Sequence, residues 1–345
     1  MSERCPGVTF VVPVRNGARW LDAVLGAIAA QDDGRPLEIL AVDDGSTDGS
    51  ADILARHAAA GRVRVLAGAG RGAAAAINLA VRQARHPVVC QVDQDVILEP
   101  GWMSRVTAVL AETGVAAGQG YYVTPPDGSV WARVAGLDLE ERYSRIRGRF
   151  IDHVCTGNSA YRTEALRRVD LFDESLGYGY DNDMSYRLGA AGYRLAFCPT
   201  ARSVHRWRES PRAYLAQQYG VGYGRLEVVA RHARRLAGDD VSGPSMIAHA
   251  VLMLLALAAL GAAAAAAVLD GPWPSFALAA LAIGGVLAGE RLAAGARAAR
   301  RFRDPIALWF APIHLLRDVA WAAAIVVWAA RRVLRRPARP SHSMR

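Results

Sequence analysis

Lysine is absent from this 345-residue sequence, so all 41 of its basic residues are arginine. That absence excludes a phosphate-binding loop ending in Lys-Ser/Thr; 68–72 (GAGRG) is glycine-rich but lacks the lysine that would meet the phosphates. The turn after the first apolar run reads PVRNG (13–17) rather than G-x-G-x-x-G, which argues against a dinucleotide-dependent oxidoreductase. Cysteine is scarce. Cys5, Cys90, Cys155 and Cys198 lie far apart with no C-x-x-C spacing, so no disulfide framework or zinc site is expected. Each reads as a small buried hydrophobe in a reducing compartment. No secretory leader is recognisable, because the run Val8–Val14 is short and contains Pro13; the start of the chain is expected in the cytoplasm. Nor is there a basic patch interleaved with stacking aromatics in the soluble part, and nucleic acid is not an expected partner.

The net charge of +9 has two readings. One is affinity for phosphates. The other is compositional bias, which also accounts for the many alanines and glycines and is the preferred explanation for arginine replacing lysine throughout.

What is present begins with alternation. Val8–Val14 (VTFVVPV) is a short β-branched run, hence a buried strand. Residues 20–30 have helical spacing, 37–42 (LEILAV) form a second strand, and 63–66 a third. An alanine-rich helix covers 73–85, a fourth strand covers 88–92, and Pro100 opens another helix. Strand–helix alternation predicts an α/β domain with a mainly parallel sheet. Ligands in such sheets gather beyond the carboxyl ends of the strands. Three polar clusters fall there: Arg15-Asn16, Asp43-Asp44, and Asp93-Gln94-Asp95.

These clusters suit transfer of a group from a nucleoside diphosphate. A departing diphosphate calls for a hard divalent cation, Mg²⁺ or Mn²⁺, and carboxylates hold such a cation. Asp93 and Asp95 project the same way by the two-residue period of an extended chain. Asp95 is the expected metal ligand, and Asp93 touches the metal or the ribose. An acid ending the second strand, Asp43 or Asp44, is placed to accept hydrogen bonds from a nucleoside, with Pro13 and Arg15 beside it. The competing reading for Asp43-Asp44-Gly45-Ser46 is an ordinary turn, since its residue types are strong turn formers.

The character changes near residue 240. Residues 245–269 hold His249 as their only ionisable group. At a rise of about 1.5 Å per residue they suffice for a hydrocarbon core of about 30 Å. A shorter apolar stretch covers 273–290. The turn between them (271–274, GPWP) carries no arginine, whereas Arg291, Arg297, Arg300, Arg301 and Arg303 follow, which puts the turn outside and both flanks in the cytoplasm. A third apolar stretch, 305–330, is interrupted by Pro312 and carries His314, Arg317 and Asp318 on one helical face. A third crossing would export the basic tail (Arg331, Arg332, Arg335, Arg336, Arg339), so an interfacial helix fits better. The expected organisation is a catalytic domain over 1–235 and a membrane-anchoring helical region over 236–345. Location is then a plasma or inner membrane, multi-pass, with the catalytic domain cytoplasmic.

The order and spacing of several segments resemble family-two inverting glycosyltransferases of the GT-A fold, in the branch of bacterial rhamnosyltransferase-like and cell-envelope glycan enzymes. The segments are VVPVRNGARWL (11–21), VDDGSTDGS (42–50), Asn78 in the helix after the third strand, VDQD (92–95), CTGNSAYR (155–162), LFDESLGYGYDNDMSYRLGAAGYRL (171–195) and ARSVH (201–205). The match covers roughly residues 8–210. It implies a nucleotide-diphosphate sugar as donor, a divalent metal, and a lipid-linked or cell-envelope glycan as acceptor. Residue by residue, it implies that Asp43, Asp44, Pro13 and Arg15 bind base and ribose, with Arg71 and Asn78 on the nucleotide-sugar side. Asp93, Asp95 and His205 would form the metal site. Gly157 and Asn158 would line the sugar or acceptor side, with Asp183 and Arg187 beyond, and Asp181 would be the catalytic base. The sequence departs from the pattern at Tyr180, where the family usually has Glu, which makes Asp183 a rival base. N-capping of the helix through Leu188 is the structural alternative for these two acids. Nucleotidyl transfer, dinucleotide-dependent redox chemistry and an inactive membrane scaffold are the alternatives of other classes.

Overall fold

The structure is a computed structural model that describes residues 6–236 and 238–334; Cys5 and the tail arginines Arg335, Arg336 and Arg339 lie outside them. The described chain forms two compact units. The first holds 6–125 and Tyr143–Arg206, and the second holds Pro126–Arg142 and 207–334 apart from residue 237. Compactness thus divides the chain after 206, while hydropathy divides it near 235.

The first unit alternates as expected: β1 (Val8–Val14), α1 (Ala18–Ala29), β2 (Leu37–Asp43), α2 (Ser50–Ala59), β3 (Arg64–Ala67), α3 (Ala73–Gln83) and β4 (Val88–Val92). After it come β5 (Val96–Leu98), α4 (Trp102–Ala108) and β6 (Val115–Val123). Past α5 (Val130–Tyr143), most of which belongs to the second unit, follow β7 (Phe150–Ile151), β8 (Asn158–Arg162), α6 (Thr163–Arg168), α7 (Tyr180–Ala190) and β9 (Arg194–His205). One sheet runs β3-β2-β1-β4-β8-β6-β9-β5, with β7 on β9. The first four strands are parallel; β8 enters antiparallel between β4 and β6. All seven residues of β1 are buried, as a central strand covered on both faces requires.

Pro13 sits in that central strand, where a missing N–H would ordinarily break the ladder. It is tolerated because pairing with β4 stops at Val11↔Gln91, two residues earlier, while β2 pairing continues to Val14↔Asp43. The two strands therefore part at their carboxyl ends, where the polar clusters emerge.

The second unit is helical: most of α5, then α8 (Pro211–Arg231), α9 (Pro244–Val268), α10 (Trp273–Phe302) and α11 (Phe310–Val333). A continuous core joins Val134 and Leu137 of α5, Tyr214 of α8, Ala294 and Ala298 of α10, and Phe310 and Ile313 of α11. Three helical segments, Pro244–Val268, Trp273–Phe302 and Pro305–Val333, are long and apolar enough to cross a membrane. Pro312 does not interrupt the third. It occupies the first turn of α11, where proline lacks only an N–H that has no intrahelical partner anyway.

Candidate active site

The site residues fall into three groups at the carboxyl edge of the first unit's sheet. The first is built on the end of β4. Antiparallel pairing sets Val92 against Asn158, so the next residue, Asp93, lies opposite Gly157. Gly157 has φ of +90°, and a Cβ there would come within 2.5 Å of Asp93 Oδ2 and 2.7 Å of the Tyr122 hydroxyl. Only glycine leaves the Asp93 carboxylate room. Gln91, one pleat earlier, donates its amide to Asp93 Oδ1 at 2.8 Å and accepts from the Gly157 N–H.

The strand that follows brings in the histidine. β5 pairs antiparallel with β9 in the register Val96↔His205, and the Arg206 N–H donates to the Asp95 carbonyl at 2.9 Å. His205 Nε2 consequently lies 3.4 Å from Asp95 Oδ1. The His205 ring packs on that of Tyr122 at 4.9 Å, and the Tyr122 hydroxyl donates to the Thr156 carbonyl. Burial, and then the Asp95 charge, push the Asp93 carboxyl up to about 6; Gln91 and His205 partly offset this, and Asp181 adds to it. Such a group favours a nearby cation. Two carboxylates and an imidazole are a donor set suited to Mn²⁺ or Mg²⁺, and the missing Cβ of Gly157 leaves space on the Asp93 side.

The second group surrounds the ends of β1 and β2. Gln94 makes a reciprocal pair with the Arg15 backbone, accepting from its N–H at 2.8 Å and donating to its carbonyl at 2.9 Å. This links the first group to the β1 turn. Asn16 takes a left-handed φ of 54°, a region that Asn tolerates. Its N–H donates to Ser46 Oγ, and its Oδ1 accepts from the Thr47 N–H. Asp43 Oδ1 accepts from the Ser46 N–H, as in an ordinary turn. Asp44 is 1% exposed and accepts three backbone N–H bonds, from Gly70 (2.8 Å), Arg71 (3.2 Å) and Gly72 (2.7 Å). Arg15 Nη1 stands 3.8 Å from it. Asp44 thus shapes the 68–72 loop itself, a role the sequence reading did not give it.

The third group fastens the segment after β8. Buried Asn78 donates to the Phe172 carbonyl and to Glu174 and accepts from the Phe172 N–H; Arg71 reaches Glu174 at 2.9 Å. Arg187 donates to Asp183 Oδ2 at 2.8 Å and to the carbonyls of Val169 and Leu171. Asn158 is fully buried and accepts from the Trp102 indole at 2.6 Å.

Helix α7 is not capped by either of its acids. Its N-cap is Gly179, in the left-handed region, which puts Asp181 and Asp183 inside the first turn. Asp181 is partly exposed, and its Oδ2 lies 3.6 Å from His153 Nε2. Tyr180, in the place of the family's Glu, packs edge-on against Phe172 and accepts from the Thr156 hydroxyl at 3.3 Å; burial pushes its phenol well up, so it stays neutral. Of the arginines around His205, Arg202 lies 3.7 Å from Glu99 and Arg206 stacks 4.4 Å over Trp20. Gln91, Tyr122 and His153 escaped the sequence reading, and Gln94 appeared there only between Asp93 and Asp95, with no role of its own. For Gln91 the available signal was its i, i+2 spacing from Asp93.

Residues 9–170 match the description "Glycosyl transferase family 2". The chain is 28% identical over 337 residues to a pre-mycofactocin glycosyltransferase of Mycobacterium tuberculosis, covering 92% of this chain and 66% of that one, so it spans just under two thirds of that relative's length. It is 31% identical over 191 residues to an uncharacterised glycosyltransferase of Mycobacterium bovis, 81% of whose length is covered. Among solved structures, it superposes on a mannosyltransferase from Pyrobaculum calidifontis in complex with GDP-Man and Mn²⁺ with a TM-score of 0.60 at 22% identity, over 96% of this chain and 88% of that one. That likeness carries the GT-A fold. The family match over residues 9–170 and the identity with a relative along most of its length agree: this enzyme belongs to glycosyl transferase family 2.

Proposed function

We propose that the enzyme transfers a sugar, with inversion, from a nucleoside-diphosphate sugar to a hydroxyl of a lipid-linked or cell-envelope glycan at a membrane surface. Family membership already removes the oxidoreductase and nucleotidyltransferase alternatives. The observation that carries the reading is the contact of His205 with Asp95 at 3.4 Å, next to an Asp93 carboxylate that the missing Cβ of Gly157 accommodates. A divalent cation bound there would supply electrostatic stabilisation of the leaving diphosphate.

The remaining roles belong to the chain itself. Asp93, Asp95 and His205 would hold the ion, and Gln91 keeps the Asp93 carboxylate aimed by holding Oδ1. Asp43, Asp44, Pro13 and Arg15 form the nucleoside side, where Asp44 acts through the 70–72 backbone it fixes and Arg71 borders the same loop. Asn78 supports the opposite wall through 172–174, and Gly157 and Asn158 the sugar side. Asp181 takes the proton of the acceptor hydroxyl. Its partly exposed carboxylate supports that role, since Asp183 is already bonded to Arg187. The hydroxyl oxygen attacks the anomeric carbon from the face opposite the departing diphosphate, which inverts the centre.

Calorimetric titration of UDP, GDP and dTDP into the detergent-solubilised enzyme, with Mn²⁺ or Mg²⁺ and then with EDTA, tests the donor half. One nucleotide should bind, and only with metal. A folded protein that binds none of them with metal present would overturn the assignment.

A further inference from the structure

A second cluster of metal-ligating side chains lies beside the proposed base. His153, Cys155 and Asp181 each offer one ligand atom, and these atoms lie within 4.8 Å of one another. The backbone accounts for the convergence. His153 and Cys155 flank Val154 in the segment between β7 and β8. Between them, the Val154 N–H donates to Ser185 Oγ at 2.9 Å. Ser185 is one turn along α7 from Asp181, on the same helical face. The bond that docks 153–155 on α7 therefore delivers the imidazole and thiol to the Asp181 carboxylate. The Cys155 N–H is held in turn by Gln119 Oε1 at 2.8 Å, and Gln119 is fixed by the Tyr143 hydroxyl. His153 is 4% exposed, whereas Cys155 and Asp181 are partly open, which leaves a way in.

Ligand chemistry separates this cluster from the Asp93–Asp95–His205 group. Nitrogen, sulfur and oxygen donors with one position left for water suit a borderline cation such as Zn²⁺. Hard Mg²⁺ and Mn²⁺ prefer the oxygen-rich group. We infer that His153, Cys155 and Asp181 form a distinct site for a thiophilic divalent cation of the Zn²⁺ type, and that filling it withdraws Asp181 from proton transfer and inhibits the enzyme. On binding, Cys155 releases its thiol proton to solvent as the metal–sulfur bond forms. The site stands on its own geometry; the inhibition rests on the role proposed for Asp181.

The test uses the full-length enzyme in detergent, without donor or acceptor. Cd²⁺ is titrated as a spectroscopic probe and Zn²⁺ by competition with a chromophoric chelator. Wild type and Asp95→Asn should develop thiolate-to-Cd²⁺ charge-transfer absorption at one equivalent. Cys155→Ser and His153→Ala should lose it and bind Zn²⁺ more weakly by at least the roughly 10–100-fold that loss of a mere supporting residue costs. No such absorption in wild type, or unchanged absorption in Cys155→Ser, would overturn the site. In turnover assays at saturating Mg²⁺, Zn²⁺ should inhibit over the range in which it binds, and Cys155→Ser should need more. Zn²⁺-filled enzyme with unchanged turnover would overturn the inhibition. Because the cadmium band is read without substrates, its absence is distinct from failure of the transferase reading.

Discussion

Arg187 donates from Nε to Oδ2 of Asp183 one helical turn away, at 2.8 Å, and the same guanidinium holds the carbonyls of Val169 and Leu171. The pair therefore fastens the start of the 169–180 segment to α7, and Asp183 is 4% exposed. Its neighbour Asp181 shares the helix but opens toward His153. The two acids should separate on substitution. Asp181→Asn should abolish transfer while metal-dependent nucleotide binding and thermal stability stay near wild type. Asp183→Ala should lose about 1.5–3 kcal/mol, the worth of a hydrogen bond to a charged group, seen as a lowered Tm. Near-normal turnover in Asp181→Asn would reject it as the base.

Gly157→Ala tests the cradle. The added Cβ must meet Asp93 Oδ2 at 2.5 Å, in a backbone region that disfavours any side chain. Asp93 would be displaced by about an ångström, a misplacement that costs on the order of 10²-fold in rate. Metal-dependent nucleotide affinity should fall as well, while the far-ultraviolet circular dichroism stays unchanged. Wild-type kinetics in this variant would remove Asp93 from the reaction.

The raised Asp93 pKa fixes a sign. With a native value near 6 and an ordinary one of 3.8, the folded apoenzyme binds more protons than the unfolded chain between those values. Stability from this group thus declines as pH rises through that window. Divalent cations compete with the same proton, so Mn²⁺ affinity should climb as pH passes upward through about 6 and then level off. Binding below that point should release a proton, which calorimetry in buffers of different ionisation enthalpy measures. Asp93→Asn should reduce the proton release.

Much of this arrangement was legible in the sequence, and the remainder shows where sequence reasoning stops. Strands β1, β2 and β4 announced themselves because buried parallel strands are nearly unbroken apolar runs. The clusters at their ends followed from the general rule for such sheets. Gln94 could not be read, because its role depends on β1 and β4 parting after Val11, which only the assembled sheet specifies. Asp44 carried a nucleoside expectation, yet its carboxylate is bonded to a loop 26 residues later, and no local pattern encodes that. Cys155 read as a buried hydrophobe; it is partly open beside His153 and Asp181, brought there by one backbone bond to Ser185.

Asp138 of α5 illustrates the same limit within the helical unit. Arg142 lies 3.4 Å from it, Arg317 3.5 Å and Arg291 3.8 Å. Burial works against its charge, and the surrounding cations hold its carboxyl well below the usual range. Asp138→Ala would leave Arg317, 3% exposed, with Asp318 alone at 3.2 Å. Breaking a buried pair in this way costs about 3–5 kcal/mol. The helical unit should unfold at lower temperature in detergent, with nucleotide binding retained below that transition. An unchanged melting profile would show that the cluster contributes little.

The partners of helix α11 lead to a prediction about its topology. The face carrying His314, Arg317 and Asp318 is turned onto protein rather than water: Arg317 meets Asp138, and Asp318 accepts from His249 at 2.8 Å. Beyond Asp318, the apolar stretch before Arg331 is twelve residues. At about 1.5 Å per residue it extends about 18 Å, short of the roughly 30 Å that a crossing needs. Along that stretch α11 lies against α8: Gly222 faces Trp321 and Ala324, and the Trp328 indole donates to Glu227 at 2.7 Å. Helix α8 carries Arg212, Arg225, Glu227 and Arg231, too many charges for hydrocarbon. We predict that a helix paired with it lies at the surface, which would keep the arginines at 331 and 332 on the α8 side, as the charge rule prefers. A reporter enzyme active only outside the cytoplasm should be active when inserted at Gly271, between α9 and α10, and silent when fused after the last residue. Activity at both positions would mean that α11 crosses after all, and that its pairing with α8 cannot persist in the membrane.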